Sequence, residues 1–173
     1  MIFEIFVIVA TIIVISIIRK SDKEIIKKFF ITVIAVLLFE FTTSALFINQ
    51  NLEFWAFLYK GVSWVITIGW ASIILSSIAI INYMFPKFPE KKKFIIQLVF
   101  ISIVGIFAEF LVRILEIREY SSLAQKSFSG IMMGGLVPIE ALYYIPVFMA
   151  LVISFKRYWE ISFNKNSNKG VKK

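Results

Sequence analysis

Five apolar runs, at about residues 2–18, 29–49, 62–85, 94–115 and 130–155, constrain this 173-residue chain more than any other feature. Each is close to the roughly 17–25 residues that cross the hydrocarbon core of a bilayer. In lipid every backbone N–H and C=O must be satisfied within its own segment, so such runs predict helices. Hydrophobic residues make up 60% and mean hydropathy is +0.87, well above the roughly 45–50% apolar content of soluble domains. The expectation is an all-α integral membrane protein: one polytopic domain over residues 1–160 with about five transmembrane helices, and a basic, disordered cytoplasmic tail over 161–173. The first run opens Met1-Ile2-Phe3-Glu4, with no basic lead-in and no small-residue cleavage site, and so reads as a retained helix.

A net charge of +8 could suggest a nucleic-acid partner, so the placement of the 19 Lys and Arg decides. They sit at the ends of the apolar runs. Arg19, Lys20, Lys23, Lys27 and Lys28 follow the first; Lys87, Lys91, Lys92 and Lys93 follow the third; Lys156, Arg157, Lys165, Lys169, Lys172 and Lys173 follow the fifth. Against these fifteen, the opposite side holds Lys60, Arg113, Arg118 and Lys126. The positive-inside rule then predicts the N-terminus outside and the C-terminus cytoplasmic, in a multi-pass plasma-membrane protein, and no nucleic-acid role.

Ionisable groups within a bilayer are expensive and mark functional sites by default. Glu40 is the twelfth residue of the second run, Glu109 lies in the outer part of the fourth, and Glu140 follows Pro138 in the fifth. With the runs alternating in direction, the three fall at similar depths and are expected to share a cavity. The bland reading of Glu109 is an ion pair with Arg113 one turn on; that of Glu40 and Glu140 is a neutral acid bonded to a neighbouring helix.

Helical spacing supports a shared interior. Gln97, Ile101, Gly105, Glu109 and Arg113 fall on one ridge, as do Thr32, Val36, Glu40 and Ser44, while Gly69, Ser72, Ser76, Ala79 and Tyr83 form a small and polar stripe. Glu40-Phe41 and Glu109-Phe110 lie 69 residues apart, as do Gly61 and Gly130, which suggests a weak two-fold parallel repeat.

With no Cys and no His, the chain has no disulfide, thiol nucleophile, Ser-His-Asp triad or imidazole shuttle, and its single Asp rules out an Asp-x-x-x-Asp diphosphate motif. Neither a cofactor nor a metal site is expected. Gly134-Gly135, inside an apolar run, reads as close helix approach rather than a phosphate loop. Acid chemistry therefore falls to carboxyls. A carboxyl in hydrocarbon tends to keep its proton, and a positioned acid can protonate an unactivated alkene. Trp64, Trp70, Tyr143 and Tyr144 are the aromatic faces that would hold the resulting cation and bind the substrate.

The stretch Ser129-Gly130-Ile131-Met132-Met133-Gly134-Gly135-Leu136-Val137-Pro138-Ile139-Glu140-Ala141-Leu142-Tyr143-Tyr144 resembles the signature of the small membrane-embedded lycopene cyclases of the heterodimeric and fusion type, and more loosely that of the carotenoid hydratases. There an apolar, Gly-containing stretch leads into Pro-x-Glu, a second acid and aromatic residues. The resemblance covers about residues 105–150. It implies a polytopic helical enzyme acting on long isoprenoids without a redox cofactor, with Glu140 as catalytic carboxyl, Tyr143 and Tyr144 as lining, and Glu109 as the acid of the preceding helix. Ala141 stands where that family has its second acid.

The first reading is thus a carotenoid-cyclase-like isomerase or hydratase: Glu140 the acid, Glu109 the partner with Arg113 setting its charge, and Glu40 completing the cavity. A homo-oligomer or second membrane subunit is left open as the source of the missing acid. The alternative is a small proton-linked transporter or channel subunit in which the same glutamates form a relay; the third is an assembly factor whose acids fix helix packing.

Overall fold

The computed structural model describes the backbone of residues 1–170 and the side chains of residues 1–163. Five long helices dominate: α1 (Ile2–Arg19), α2 (Ile25–Thr43), α3 (Trp64–Met84), α4 (Glu90–Ile114) and α6 (Ala141–Gly170), with a short α5 (Ser122–Ser127) between the last two. The described residues are mostly helical. Among the described residues, α1, α3 and α4 are long and apolar enough to cross a membrane; α2 matches them in length but carries Lys27, Lys28 and Glu40.

Punctuation residues set the boundaries. Ser63 caps α3 by accepting from the Ile66 amide, Ser121 does the same for Ala124 in α5, and Pro89 precedes the first residue of α4. Glu116, at φ 55°, ends α4 by turning the chain into the left-handed region. α3 is the central helix, packed against α1, α2 and α4. The outward faces are apolar: Phe6, Val9, Ile13 and Ile17 on α1 and Val99, Ile103, Phe107 and Leu111 on α4 are exposed. Exposed apolar faces of this kind mark contact with a membrane or with another protein.

The loops at one end differ from the expected helical layout. The second run stops being helical at Thr43 rather than Asn49, and the fifth begins at Ala141 rather than residue 130. The freed segments build three two-stranded antiparallel ladders. β1 (Phe47–Asn49) pairs with β4 (Arg118–Tyr120); β2 (Phe57–Tyr59) pairs with β3 (Val62–Ser63); β5 (Met132–Met133) pairs with β6 (Val137–Pro138). The β2–β3 hairpin turns through the left-handed pair Lys60-Gly61, the backbone that a two-residue loop needs, and the three-residue β5–β6 loop, Gly134 to Leu136, holds the left-handed pair Gly134-Gly135. Gly134-Gly135 is therefore a turn rather than part of a helix, yet Gly134 does approach α4 closely, since a Cβ there would lie 3.2 Å from the Phe110 ring, and Pro138 ends a strand.

The tail expected from residue 161 continues α6 as far as Gly170, with the Phe163 ring against Trp159 and under the Lys27 ammonium. Ile161, Ser162 and Phe163 carry no helix breaker, and the aromatic contacts extend the helix. Residues 171–173 of that tail lie outside those described.

The repeat is visible as element order. α2, β1, a 3-10 turn at Phe54–Ala56, the β2–β3 hairpin and α3 are followed by α4, β4, α5, the β5–β6 hairpin and α6. Exchange of the halves is also consistent with the packing, since α2 meets α3 and α6, and α4 meets α6 and α3. Asn49 and Arg118 face each other in the β1–β4 ladder, 69 residues apart like Glu40 and Glu109. The pairing of Gly61 with Gly130 does not survive: by the start of the closing helices, Trp64 and Ala141, the separation has grown to 77 residues.

Candidate functional site

Glu40 and Glu109 stand at the same level in the two halves, each buried on the inner ridge of its helix: Thr32, Val36 and Glu40 on α2, and Gln97, Ile101, Gly105 and Glu109 on α4. The α4 ridge seats closely because Gly105 has no side chain; a Cβ there would lie 2.9 Å from Ile145 Cγ2 and 3.0 Å from Met149 Cε on α6.

The β1–β4 ladder closes over these acids. Its alternation sends Phe47, Asn49, Arg118 and Tyr120 to one face and Ile48 and Glu119 to the other, and Arg118 and Tyr120 are buried while Glu119 is exposed. The Arg118 guanidinium lies between the acids, with Nη2 3.7 Å from Glu40 Oε1 and Nη1 3.8 Å from Glu109 Oε2. Its Nε donates to Asn49 Oδ1 at 3.1 Å, and the group sits 5.1 Å from the Phe47 ring centroid. Asn49 is held in turn by donating to the Gly61 carbonyl at 2.6 Å.

Each acid has a hydroxyl partner. Thr67 Oγ1 donates to Glu40 Oε2 at 2.6 Å, and Tyr120 Oη donates to Glu109 Oε1 at 2.8 Å, with Tyr144 Oη 3.1 Å from Tyr120 Oη. Burial and the neighbouring Glu109 carboxylate push the Tyr120 phenol well above its ordinary value, so it stays a donor. Thr67 and Tyr144 are each three residues past the start of the helix that closes their half, a second trace of the repeat.

Glu40, Glu109 and Arg118 line a cavity of about 40 Å3 with Phe39, Phe47, Trp70, Tyr144 and Phe148 among its walls. That is room for ~3 water molecules. Phe39 and Phe148 stack at a centroid distance of 4.1 Å on its α2–α6 side, and Trp70 meets Phe148 edge-on at 6.0 Å. Glu40 Oε1 is buried and has no hydrogen-bond partner among the described residues.

Several expected residues sit elsewhere. Glu140 lies between β6 and α6, outside the cavity lining, and Oε1 accepts from the Ser129 amide at 2.6 Å. That bond holds its carboxyl below the ordinary value. Its predicted depth assumed a helix from residue 130, and the hairpin removes that premise. Arg113 is no partner of Glu109: Nη1 donates to the Arg118 carbonyl at 2.7 Å and Nε to the Leu136 carbonyl at 3.3 Å, so it braces the loops around the site. Trp64 donates to the Trp55 carbonyl away from the cavity, and Tyr143 is exposed on the outer face of α6. Of the expected residues, Glu40, Glu109, Trp70 and Tyr144 come together. Arg118, Tyr120, Asn49 and Thr67 are additions; for Arg118 and Tyr120 the one trace in the sequence is the short Arg-Glu-Tyr alternation of residues 118–120. Among the described residues, no cluster of three or more acids is placed to hold a metal ion.

Comparison of the chain with protein-family models, with curated proteins and with solved structures finds no match.

Proposed function

We propose that this is a five-helix plasma-membrane protein, N-terminus outside and C-terminus cytoplasmic, that uses the Glu40–Arg118–Glu109 cluster as a proton donor towards the alkene of a long isoprenoid. The observation that carries this reading is Glu40 Oε1, buried at an aromatic-walled cavity with no hydrogen bond among the described residues and 3.7 Å from one guanidinium shared by two carboxyls. Two carboxyls against one guanidinium balance in charge when one carboxyl keeps its proton. A proton held in a site screened from water is what attack on an unactivated double bond requires.

Glu40 delivers that proton to one alkene carbon and becomes a carboxylate; the positive charge forms on the other carbon, facing Phe39, Trp70, Tyr144 and Phe148. Attack by a second double bond of the same chain closes a ring, and loss of a proton to a carboxylate leaves the substrate mass unchanged. Capture by water with loss of a proton gives an alcohol heavier by one water. Glu109, tied to Tyr120, is the proton acceptor. The resemblance to lycopene cyclases favours this chemistry and this substrate class, but the acid it implies at Glu140 gives way here to Glu40. Admission of an isoprenoid end requires the Phe39–Phe148 pair to part, because a space of about 40 Å3 holds only a few waters.

A proton-linked transporter is disfavoured by the layer below the site. Ile74, Ile101, Met149, Val152 and Ile153 are fully buried there and carry no ionisable group, so a relay through the bundle would lack stations. The test is expression in a host that accumulates a linear carotene, with pigments resolved by chromatography and mass spectrometry. A new product of equal mass, or one heavier by water, that disappears with Glu40→Gln and persists with Glu140→Gln supports the proposal. An unchanged pigment profile from well-folded protein speaks against it.

A further inference from the structure

At the opposite end of the bundle, the last turns of α1 and α3, the middle of α6 and the starts of α2 and α4 surround a second cavity, of about 860 Å3. This lies within the roughly 300–1,000 Å3 typical of small-molecule sites. Its floor is apolar, with Ile18, Ile25, Leu75 and Ile78 buried. Its walls carry four cations, Lys28, Lys93, Lys156 and Arg157, against three carboxylates, Asp22, Glu90 and Glu160. The surroundings reinforce the sign: residues 19–28, 86–93 and 156–163 together hold eleven Lys and Arg and four Asp and Glu.

The cations are anchored unequally. Lys28 grips Asp22 at 2.6 Å, and the buried Lys156 holds Glu160 at 2.8 Å. Lys93 and Arg157 both lean on Glu90, at 3.4 and 3.6 Å, and that carboxylate is 76% exposed. Arg157 is nevertheless oriented, donating to Gln97 Oε1 at 3.0 Å, while Gln97 donates to Asn82 Oδ1 at 2.9 Å and Phe94 lies beneath the guanidinium at 5.0 Å. A preset guanidinium with a neighbouring ammonium, both loosely held by a carboxylate free to swing out, is suited to an oxyanion with several acceptor oxygens.

We infer that this vestibule binds a phosphate ester through Arg157 and Lys93, displacing Glu90. With Glu90 displaced, four cations face two carboxylates, an excess that attracts the single charge of a phosphodiester, and the apolar floor accommodates the part of a lipid next to its headgroup. This inference is independent of the chemistry proposed for Glu40.

The experiment is isothermal titration of the purified full chain in a neutral maltoside detergent with two probes: short-chain phosphatidylglycerol and inorganic phosphate. Saturable binding of the lipid alone identifies a headgroup site; binding of inorganic phosphate as well identifies a site open to soluble phosphates; either supports the inference. Arg157→Gln with Lys93→Gln should weaken binding at least tenfold, whereas Lys91→Gln with Lys92→Gln, removing the same charge from exposed positions outside the cavity, should change it less than twofold. Glu90→Gln should tighten it severalfold. Helix content by circular dichroism confirms that each variant is folded. Unsaturable binding of both probes, equal loss in the two double variants, or weakening by Glu90→Gln overturns the inference.

Discussion

Replacing Arg118 by Met keeps the apolar stem over Phe47 and removes the charge between two buried carboxyls, and its cost can be worked from the site. The guanidinium is within 3.8 Å of both acids and its side chain is only 9% accessible. Removing one partner of a buried ionic cluster typically costs about 3–5 kcal/mol. A second route gives a similar number. The stranded carboxylate can escape by taking up a proton; from an ordinary value of about 4.3, that costs ~3.7 kcal/mol at pH 7 and ~1 kcal/mol at pH 5. A chain of this size shifts its melting temperature by roughly 2–4 °C per kcal/mol. Arg118→Met is therefore expected to lower it by about 7–15 °C at pH 7 and about 2–4 °C at pH 5, read by circular dichroism in detergent micelles at several scan rates. Adding Glu40→Gln and Glu109→Gln to Arg118→Met should recover much of the pH 7 loss. A pH 7 shift below about 2 °C, or the same shift at both pH values, would refute the reasoning.

Other parts of the structure make equally definite predictions. Gly105→Val places methyls where Ile145 and Met149 already touch, and overpacking of this kind costs about 1–3 kcal/mol; a melting temperature equal to wild type would show that α4 and α6 are not so closely seated. Glu140, its carboxyl held down by the Ser129 amide, gives stability that is present above its ordinary value of 4.5 and lost as pH falls through its lower folded value. The advantage of wild type over Glu140→Gln should therefore shrink in acid melts below about pH 4.5, and an advantage that grows there would contradict the assignment. Ile48 and Glu119 are exposed, directly opposed and in a chain without cysteine, so Ile48→Cys with Glu119→Cys should form a disulfide on mild oxidation. Absence of that cross-link would count against the β1–β4 ladder.

The sequence conveys the helix interiors well because burial there follows a 3.6-residue period. Thr32, Val36, Glu40 and Gln97, Ile101, Gly105, Glu109 could be placed on inner ridges from spacing alone, and Ser72 of the α3 stripe does face a neighbour, accepting from Thr11 of α1 at 3.3 Å. The loops were not legible by the same means. Residues 44–49 and 130–140 are nearly as apolar as the helices beside them, so hydropathy merged them into the second and fifth runs. What separates them is backbone conformation: left-handed Gly134 and Gly135, and Pro138 at a strand position. Arg118 was read as a loop charge bearing on orientation. Its two-residue alternation with Tyr120 is too short to stand out as a strand, and its partner strand lies 69 residues away.

The central claim is that a proton from Glu40 attacks the substrate alkene, and isotope labelling tests it most directly. Cells accumulating the linear carotene and expressing the chain are moved into deuterated medium, and the product is analysed by mass spectrometry after washing out exchangeable hydrogen. The account predicts one carbon-bound deuterium for each end group converted, with Glu40→Gln forming no product. A product without solvent deuterium, or labelled product formed at the wild-type rate by Glu40→Gln, would contradict it.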